Sequence, residues 1–222
     1  MPCEVVCISS QDGAGAQAVG LVVADSLGFR LIDEEIVTRA AVDAGVDKEV
    51  VADVEQRKSF VTRFVEGMGT AGLATGLGAG YVIAGTDVTG QYAPASDDLR
   101  GLIRSVIEET ASIGSAVIVA HAASLALGDR EDVLRVHVTA SAPTRERRVA
   151  AALGIDEKEA VRKLKRADAG RADYLKRFYD VSAELPTHYD LVINTDKLTP
   201  EQAARLIVQA VGGSADAEKS VT

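Results

Sequence analysis

The sequence is poor in cysteine and aromatic residues and contains no tryptophan. Its two cysteines, Cys3 and Cys7, lie in the first apolar run, where their spacing would place them on one face of a strand. A zinc site would therefore need histidine ligands, but His121, His137 and His188 are scattered along the chain. We predict no metal site from these residues and interpret the cysteines as buried structural thiols in a reducing compartment.

Positive charge is scarce as well, because 24 Lys and Arg residues face 33 Asp and Glu residues, giving a net charge of −9. Binding to nucleic acid or to an anionic membrane depends on basic residues, so the composition argues against both as partners. No uncharged apolar stretch reaches the length of a membrane-spanning helix, and no secretory signal pattern is visible. We expect a cytoplasmic protein.

Short apolar runs alternate with helical patterns along most of the chain, in which apolar residues make up 47%. The runs predicted as strands are 3–9, 29–32, 115–121, 133–139 and 190–194. The segments predicted as helices are 16–27, 33–43, 47–66, 97–113, 144–152, 157–180 and 200–211. Because continuously apolar strands suit a parallel sheet covered on both faces, we predict a three-layer α/β sandwich with a central parallel sheet of about five strands.

Two regions interrupt this alternation. Residues 67–90 carry eight glycines and no basic residue, which is typical of an insertion or flap. The GLGAG stretch at 76–80 lacks a preceding strand, so we interpret it as structural rather than as a dinucleotide loop. The polar tail at 212–222 is predicted to be disordered, leaving 1–211 as a single domain.

The segment ISSQDGAGAQA at 8–18 joins the first predicted strand to the first predicted helix. Glycines at such a junction allow backbone N–H groups to line a phosphate-binding concavity at a helix N-terminus. The pattern G-x-x-x-x-G-K-[ST] would place Ala16 at the lysine and Gln17 or Ala18 at the hydroxyl. An ordinary strand-to-helix turn is the alternative. The residues assigned to phosphate binding are Ser9, Ser10, Gln11, Asp12, Gly13, Ala14, Gly15, Ala16, Gln17 and Ala18.

The region 144–180 concentrates the basic residues of this acidic chain. Arg162 and Arg166 are one helical turn apart, and Asp168 and Arg171 are spaced so that one can orient the other. Arginines on a mobile helical lid can stabilise the charge of a phosphoryl group during its transfer. A solvated amphipathic helix explains the same pattern without a site.

These segments together resemble the cytidylate kinase-like family of P-loop nucleoside monophosphate kinases. The resemblance is carried by ISSQDGAGAQAVGLVVADSLGFRLIDEEIV, by the stretch from DVLRVHVTASAPTRERRVAAALG to YLKRFYD, and by HYDLVINTDKLTPEQAARLI. It covers most of the chain except about 65–95. It implies a P-loop NTPase-like fold with a helical lid, ATP as phosphate donor, Mg²⁺ as its metal, and CMP or a related nucleotide as acceptor.

The resemblance also implies roles for individual residues. The loop 9–18 would hold the donor phosphates, and Asp33 and His121 would line the acceptor site. Arg145, Arg166 and Arg171 would neutralise the transferring group, with Asp168 orienting the lid. For Asp33, which follows the short predicted strand 29–32, a helix N-cap is an equally good local explanation.

The chain lacks positive charge at three positions, two of which are arginine in typical family members, whereas the third is the general P-loop lysine that the family often lacks. Ser10 stands where family members have arginine, Ala16 stands at the lysine position, and His121 replaces the arginine of a Gly-Arg-Gly segment. Losing one preorganised charge commonly costs roughly 10²–10³ in rate.

Three hypotheses follow from these residues. The first is an active nucleoside monophosphate kinase. The second is a catalytically weak or inactive relative that binds a nucleotide and acts through a protein partner. The third is an α/β scaffold without a nucleotide. A homo-oligomer is compatible with all three.

Overall fold

The computed structural model describes residues 3–33, 97–120 and 122–217. The predicted helix 47–66, the glycine-rich segment 67–90 and His121 lie outside these residues. So does the predicted helix 33–43, apart from its first residue. None of the described helices is long and apolar enough to cross a membrane.

The described strands form a single parallel sheet, which confirms the predicted fold class. In chain order they are β1 (Val5–Ser10), β2 (Arg30–Asp33), β3 (Ala116–Val119), β4 (Val133–Thr139) and β5 (Leu191–Asn194). Their spatial order is β2-β3-β1-β4-β5, and each neighbouring pair is parallel. The five strands are those predicted from the apolar runs, and their ends lie within two residues of the predicted ones.

Helices alternate with the strands as expected for such a sheet. They are α1 (Ala16–Leu27), α2 (Asp97–Ile113), α3 (Ala123–Leu127), α4 (Ala142–Leu153), α5 (Glu157–Tyr179) and α6 (Pro200–Ala217). The short helix α3 is not predicted from the sequence, and α6 continues past residue 211 to Ala217.

Alternate residues of β1 enter two separate apolar cores, one on each face of the sheet. Val5 and Cys7 pack with α2 and α3, whereas Val6 and Ile8 pack with α1 and α6. Cys3 precedes β1 and packs against the second core, so the expectation that the two cysteines share a face is wrong. Fully burying a residue such as Ile8 contributes about 1.5–3 kcal/mol, which explains why both strand faces are apolar.

The loops after β1 and β3 leave the sheet toward opposite faces. The chain continues from β1 into α1 on one face and from β3 into α3 on the other, although the two strands are neighbours. In open α/β sheets a crevice forms where adjacent connections diverge in this way, at the carboxyl ends of the strands, and ligands bind there. The loop 11–15 lies at this place.

Candidate functional site

The loop between β1 and α1 turns sharply at two glycines. Gly13 and Gly15 have φ angles of 76° and 88°, which lie in the left-handed region that other residues rarely adopt. A Cβ atom at Gly13 would also lie 3.0 Å from the Arg145 carbonyl oxygen, because the loop packs directly on the start of α4. The backbone therefore requires glycine at these positions.

Two arginines of α4 bind the carbonyl oxygens of this loop. The Nε of Arg145 donates to the Asp12 carbonyl at 2.6 Å. The Nη1 of Arg148 lies 3.2 Å from the carbonyl oxygens of both Gly13 and Ala14. Both side chains therefore donate hydrogen bonds to the loop from outside, and the loop accepts them through its carbonyl oxygens.

Thr195, which follows β5, supports the loop from the same side. Its buried hydroxyl lies 2.7 Å from the Ala14 carbonyl oxygen and accepts a hydrogen bond from Arg148 at 2.9 Å. The Thr195 N–H donates to the Thr139 carbonyl at the end of β4. The loop conformation is thus held by β4, β5 and α4 together.

The N–H groups of the loop point the other way. A trans peptide is planar, so its C=O and N–H bonds are antiparallel. With the Asp12 and Ala14 carbonyls directed at α4 and β5, the N–H groups of Gly13 and Gly15 face the opposite side. Neither has a hydrogen-bond partner among the described residues. They join the first N–H groups of α1, whose N-cap Gly15 provides no side-chain cap. Such an array of N–H groups at a helix N-terminus is suited to an anion.

Other residues assigned to the loop have structural contacts. Ser9 is buried and its hydroxyl lies 3.1 Å from that of Ser124 on α3. Ser10 ends β1 and is half-buried. The Gln11 side chain accepts from the Thr139 hydroxyl at 3.3 Å. These residues therefore connect the loop to the sheet and to α3.

The first turn of α1 contains the residues that replace the usual lysine and hydroxyl. Ala16 is only 4% exposed and packs in the core beneath α1, whereas Ala18 is exposed. The Gln17 Nε2 donates to Oδ2 of Asp33 at 2.9 Å. Asp33 is buried at the end of β2, so two positions selected from distant parts of the sequence meet beside the loop.

The arginines predicted to neutralise a phosphoryl group lie in different environments. Arg145 is buried and makes a bidentate ion pair with Asp168 of α5, at 2.6 and 3.0 Å. Arg171 is buried and makes a bidentate pair with Glu184, at 2.5 and 2.8 Å. Arg166 is exposed on α5. Of the three, only Arg145 contacts the loop in the described structure, and it does so from the carbonyl side.

Glu184 is the centre of a second polar cluster, on the face of the sheet opposite α1. The Tyr189 hydroxyl donates to it, and His137 Nδ1 lies 3.9 Å from its Oε1. Burial alone would raise the pKa of Glu184, but the hydrogen bonds and charge of Arg171 outweigh burial and hold the pKa below its usual range. Burial and the bond to Glu184 raise the pKa of Tyr189. The cluster thus joins α5 to the sheet through an ionised carboxylate.

His137 stacks on the Tyr189 ring with a centroid distance of 4.8 Å. Its Nδ1 is buried and has no hydrogen-bond partner among the described residues. Burial lowers the pKa of His137, which keeps the imidazole neutral. Within the described ranges no three His, Cys, Asp or Glu side chains are grouped closely enough to hold a metal ion.

No sequence motif selects Arg148, Thr195, Glu184 or Tyr189. Thr195 could have been found from the strand order, because β5 ends at the same edge of the sheet as β1. The roles of the other three depend on packing between segments that are far apart in sequence, for which the local pattern has no signal.

Comparison with known proteins bears on the family and the fold of this chain. Residues 5–197 match the cytidylate kinase-like family. An uncharacterized protein of known structure from Eubacterium ventriosum has a TM-score of 0.66 and 18% identity, over 95% of this chain and 99% of that chain. Its likeness supports the fold. No curated protein matches.

Two further solved structures are similar at a TM-score of 0.49. Shikimate kinase from Bacteroides thetaiotaomicron is 13% identical over 94% of this chain and 98% of that chain. A protein from Thermus thermophilus is 19% identical over 96% of this chain and 98% of that chain. Because the family match spans the whole sheet and the loop, this nucleotide kinase-like chain belongs to the cytidylate kinase-like family.

Proposed function

We propose that this protein is a nucleoside monophosphate kinase that transfers the γ-phosphate of ATP to CMP or a related nucleotide. One observation carries the proposal. The carbonyl oxygens of Asp12, Gly13 and Ala14 are bound from outside by α4 and Thr195, so the N–H groups of Gly13 and Gly15 are directed at the crevice. A turn without a phosphate-binding role does not need this arrangement.

The loop fits the phosphates of ATP through its backbone. The N–H groups at the start of α1 supply hydrogen bonds and the positive end of a helix dipole, neither of which requires the missing lysine. Mg²⁺, when bound with ATP, neutralises charge on the phosphates. Mg²⁺ often relies on one or two carboxylates plus the phosphates themselves, and Asp33 beside the loop would supply one such carboxylate.

The acceptor nucleotide is proposed to lie on the β2–β3 side of the crevice. Asp33 ends β2 and is held by Gln17, which gives it a defined orientation toward the carboxyl edge of the sheet. His121 follows β3 in sequence and is the other acceptor residue that we propose. Positive charge for the transferring group would come from Arg166, which is exposed, and from Arg171 after an exchange of partners, while Arg145 stays bound to Asp168 and to the Asp12 carbonyl.

A specific observation favours a second candidate, a catalytically weak or inactive relative that binds a nucleotide and acts through a protein partner. Arg145 and Arg171 already have bidentate carboxylate partners, so their charge is compensated in the described structure. Releasing Arg171 from its buried pair would leave an uncompensated charge, which commonly costs about 3–5 kcal/mol, and the cost is lower for Arg145 because the side chain of its partner Asp168 is 39% exposed. Binding through backbone N–H groups does not incur this cost.

Coupled ADP release with a panel of nucleoside monophosphates tests the proposal. We expect acceptor-dependent turnover with at least one pyrimidine nucleotide. Arg166→Ala should reduce kcat by roughly 10–10³-fold if this side chain meets the transferring group. The matched control is Lys165→Ala, which removes an exposed positive charge from the neighbouring position of α5 and should leave kcat nearly unchanged.

Calorimetric titration with ATP and with CMP separates the two candidates. Heat of binding without turnover for any acceptor would overturn the kinase and favour the binding protein. Absence of both binding and turnover would overturn both candidates. Equal effects of Arg166→Ala and Lys165→Ala on kcat would show that Arg166 is not a catalytic residue, without contradicting the proposal of a kinase.

A further inference from the structure

A continuous chain of contacts joins α5 to the phosphate loop. The carboxylate of Asp168 binds Nη1 and Nη2 of Arg145 at 3.0 and 2.6 Å. The remaining donor of the same guanidinium, Nε, binds the Asp12 carbonyl at 2.6 Å. Three segments that are distant in sequence therefore meet through one side chain.

The geometry of arginine makes this chain rigid. Its guanidinium is planar and its donors have fixed directions, so two bonds to one carboxylate define the plane of the group. Arg145 is only 4% exposed, which leaves little room for water to replace a lost partner. The direction of Nε, and with it the position of the Asp12 carbonyl, depends on Asp168.

The Asp12 carbonyl belongs to the same planar peptide as the Gly13 N–H. Holding the carbonyl against Arg145 therefore sets the direction of that N–H toward the crevice. Gly13 has no side chain to restrain this peptide. Because glycine adopts positive and negative φ with similar ease, its observed φ of 76° is one of several orientations open to the peptide. The external contact is what selects one of them.

We propose that Asp168 is a positioning residue that acts through Arg145 to orient the Asp12–Gly13 peptide for phosphate binding. This rests on the proposed function only in taking phosphate as the ligand of the loop. The affinity of the loop for phosphate then depends on the position of α5, because a shift of Asp168 would release the Asp12–Gly13 peptide. In this proposal Arg145 holds the Asp12 carbonyl in place, and this role is distinct from direct neutralisation of a phosphoryl group.

The test compares Asp168→Asn with Asp173→Asn. Asp173 lies on the same helix, is exposed, and has no contact with the loop. Two quantities are measured in the full chain: the amide NMR signals of Gly13 and Gly15 without ligand, and the affinity for inorganic tripolyphosphate. For Asp168→Asn we expect a shift of the Gly13 amide and a loss of tripolyphosphate affinity of roughly 5- to 50-fold. Asp173→Asn should change neither.

A merely structural ion pair would give a different result. Asp168→Asn would then lower the melting temperature while, below that temperature, the Gly13 signal and the affinity matched the parent, and this result would overturn the proposal. If Asp168→Asn does not fold, Asp168→Glu carries the test, since it keeps the charge and moves the carboxylate by one methylene. A Gly13 amide that stays unshifted in Asp168→Glu would also overturn it.

The ligand-free measurement keeps the two proposals separate. If the parent protein binds neither tripolyphosphate nor ATP, the proposed function fails. The response of the Gly13 amide to Asp168→Asn still tests whether Asp168 positions the peptide.

Discussion

Arg148 contacts the loop from outside with two hydrogen bonds, to the carbonyls of Gly13 and Ala14, and it donates two more to the hydroxyl and carbonyl of Thr195. Its positive charge therefore stabilises backbone oxygens, whereas a phosphate would lie beyond the N–H groups on the other side. Under the proposed function, this contact would let a loop with alanine at the lysine position keep its conformation without that lysine. The charge that supports the loop and the N–H groups proposed to bind phosphate lie on different faces of the same turn.

Replacing Arg148 by glutamine should destabilise the protein. Hydrogen bonds to a charged donor contribute about 1.5–3 kcal/mol, and the variant leaves several carbonyl oxygens without that donor. We expect the free energy of unfolding, measured by urea denaturation, to fall by about 2 kcal/mol. Arg147→Gln is the control, because Arg147 is exposed and, within the described part of the chain, its side chain donates only to the Thr144 hydroxyl at 3.3 Å. Equal losses in the two variants would contradict the bracing role.

At the scale of elements, α1 approaches the sheet unusually closely. Gly20 lies on the inner face of α1, and a Cβ atom there would come within 2.5 Å of a methyl group of Val119 on β3. The close approach places the N-terminus of α1 against the crevice between β1 and β3. A glycine inside a helix is normally unfavourable, so its presence here reflects packing rather than helix propensity.

Two glycine-to-alanine substitutions should therefore have opposite effects on stability. Gly20→Ala gains helix propensity but overpacks Val119, for which a cost of about 1–3 kcal/mol is usual, so we expect a net loss. Gly212→Ala on α6 meets no atom within 4 Å and should stabilise the protein by roughly 0.5–1 kcal/mol. Thermal unfolding of both variants checks the signs. Stabilisation by Gly20→Ala would show that α1 can move away from β3 without cost.

The basic region 144–180 shows what helical spacing predicts and what it does not. The sequence predicts α5 to within one residue at its C-terminal end, and it places Asp168 and Arg171 one turn apart. Yet Asp168 pairs with Arg145, 23 positions away, and Arg171 pairs with Glu184, 13 positions away. Both arginines are buried, and a buried guanidinium pairs with the carboxylate that packing brings to it.

At the scale of the whole molecule, the Glu184 cluster connects α5, the segment before β5, and β4. Among the described residues, the charged and titratable groups that face His137 are Glu184, Arg171 and Tyr189, and His137 pairs in the sheet with Ser9 of β1. The cluster therefore lies between the strand that leads into the loop and the helix that carries Asp168. The protonation of His137 and of Glu184 therefore affects the stability of the whole fold.

Stability should fall as the pH falls through the ordinary histidine pKa of 6.5. The pKa of His137 is lowered in the folded protein by burial, so the unfolded chain takes up a proton that the folded protein does not bind. The slope from this one proton is at most about 1.4 kcal/mol per pH unit. The lowered pKa of Glu184 adds a further loss at more acidic pH.

Urea unfolding between pH 7.5 and 5 measures this slope. His137→Phe keeps the stack on Tyr189 but cannot titrate, so its stability should vary less over this range. A slope in His137→Phe as steep as that of the parent would contradict the assignment.

The sequence by itself determined the parallel sheet, the position of the loop between β1 and α1, and the family. The first two depend on local apolar periodicity and on glycines at a strand-to-helix junction, which neighbouring residues encode, and the family follows from the resemblance of whole segments. Only the tertiary structure decided that α4 and Thr195 bind the carbonyl side of the loop, that Gln17 meets Asp33, and which carboxylate each arginine pairs with. Those contacts join elements from distant parts of the chain, and their hydrogen-bond geometry exists only after the sheet and helices have packed.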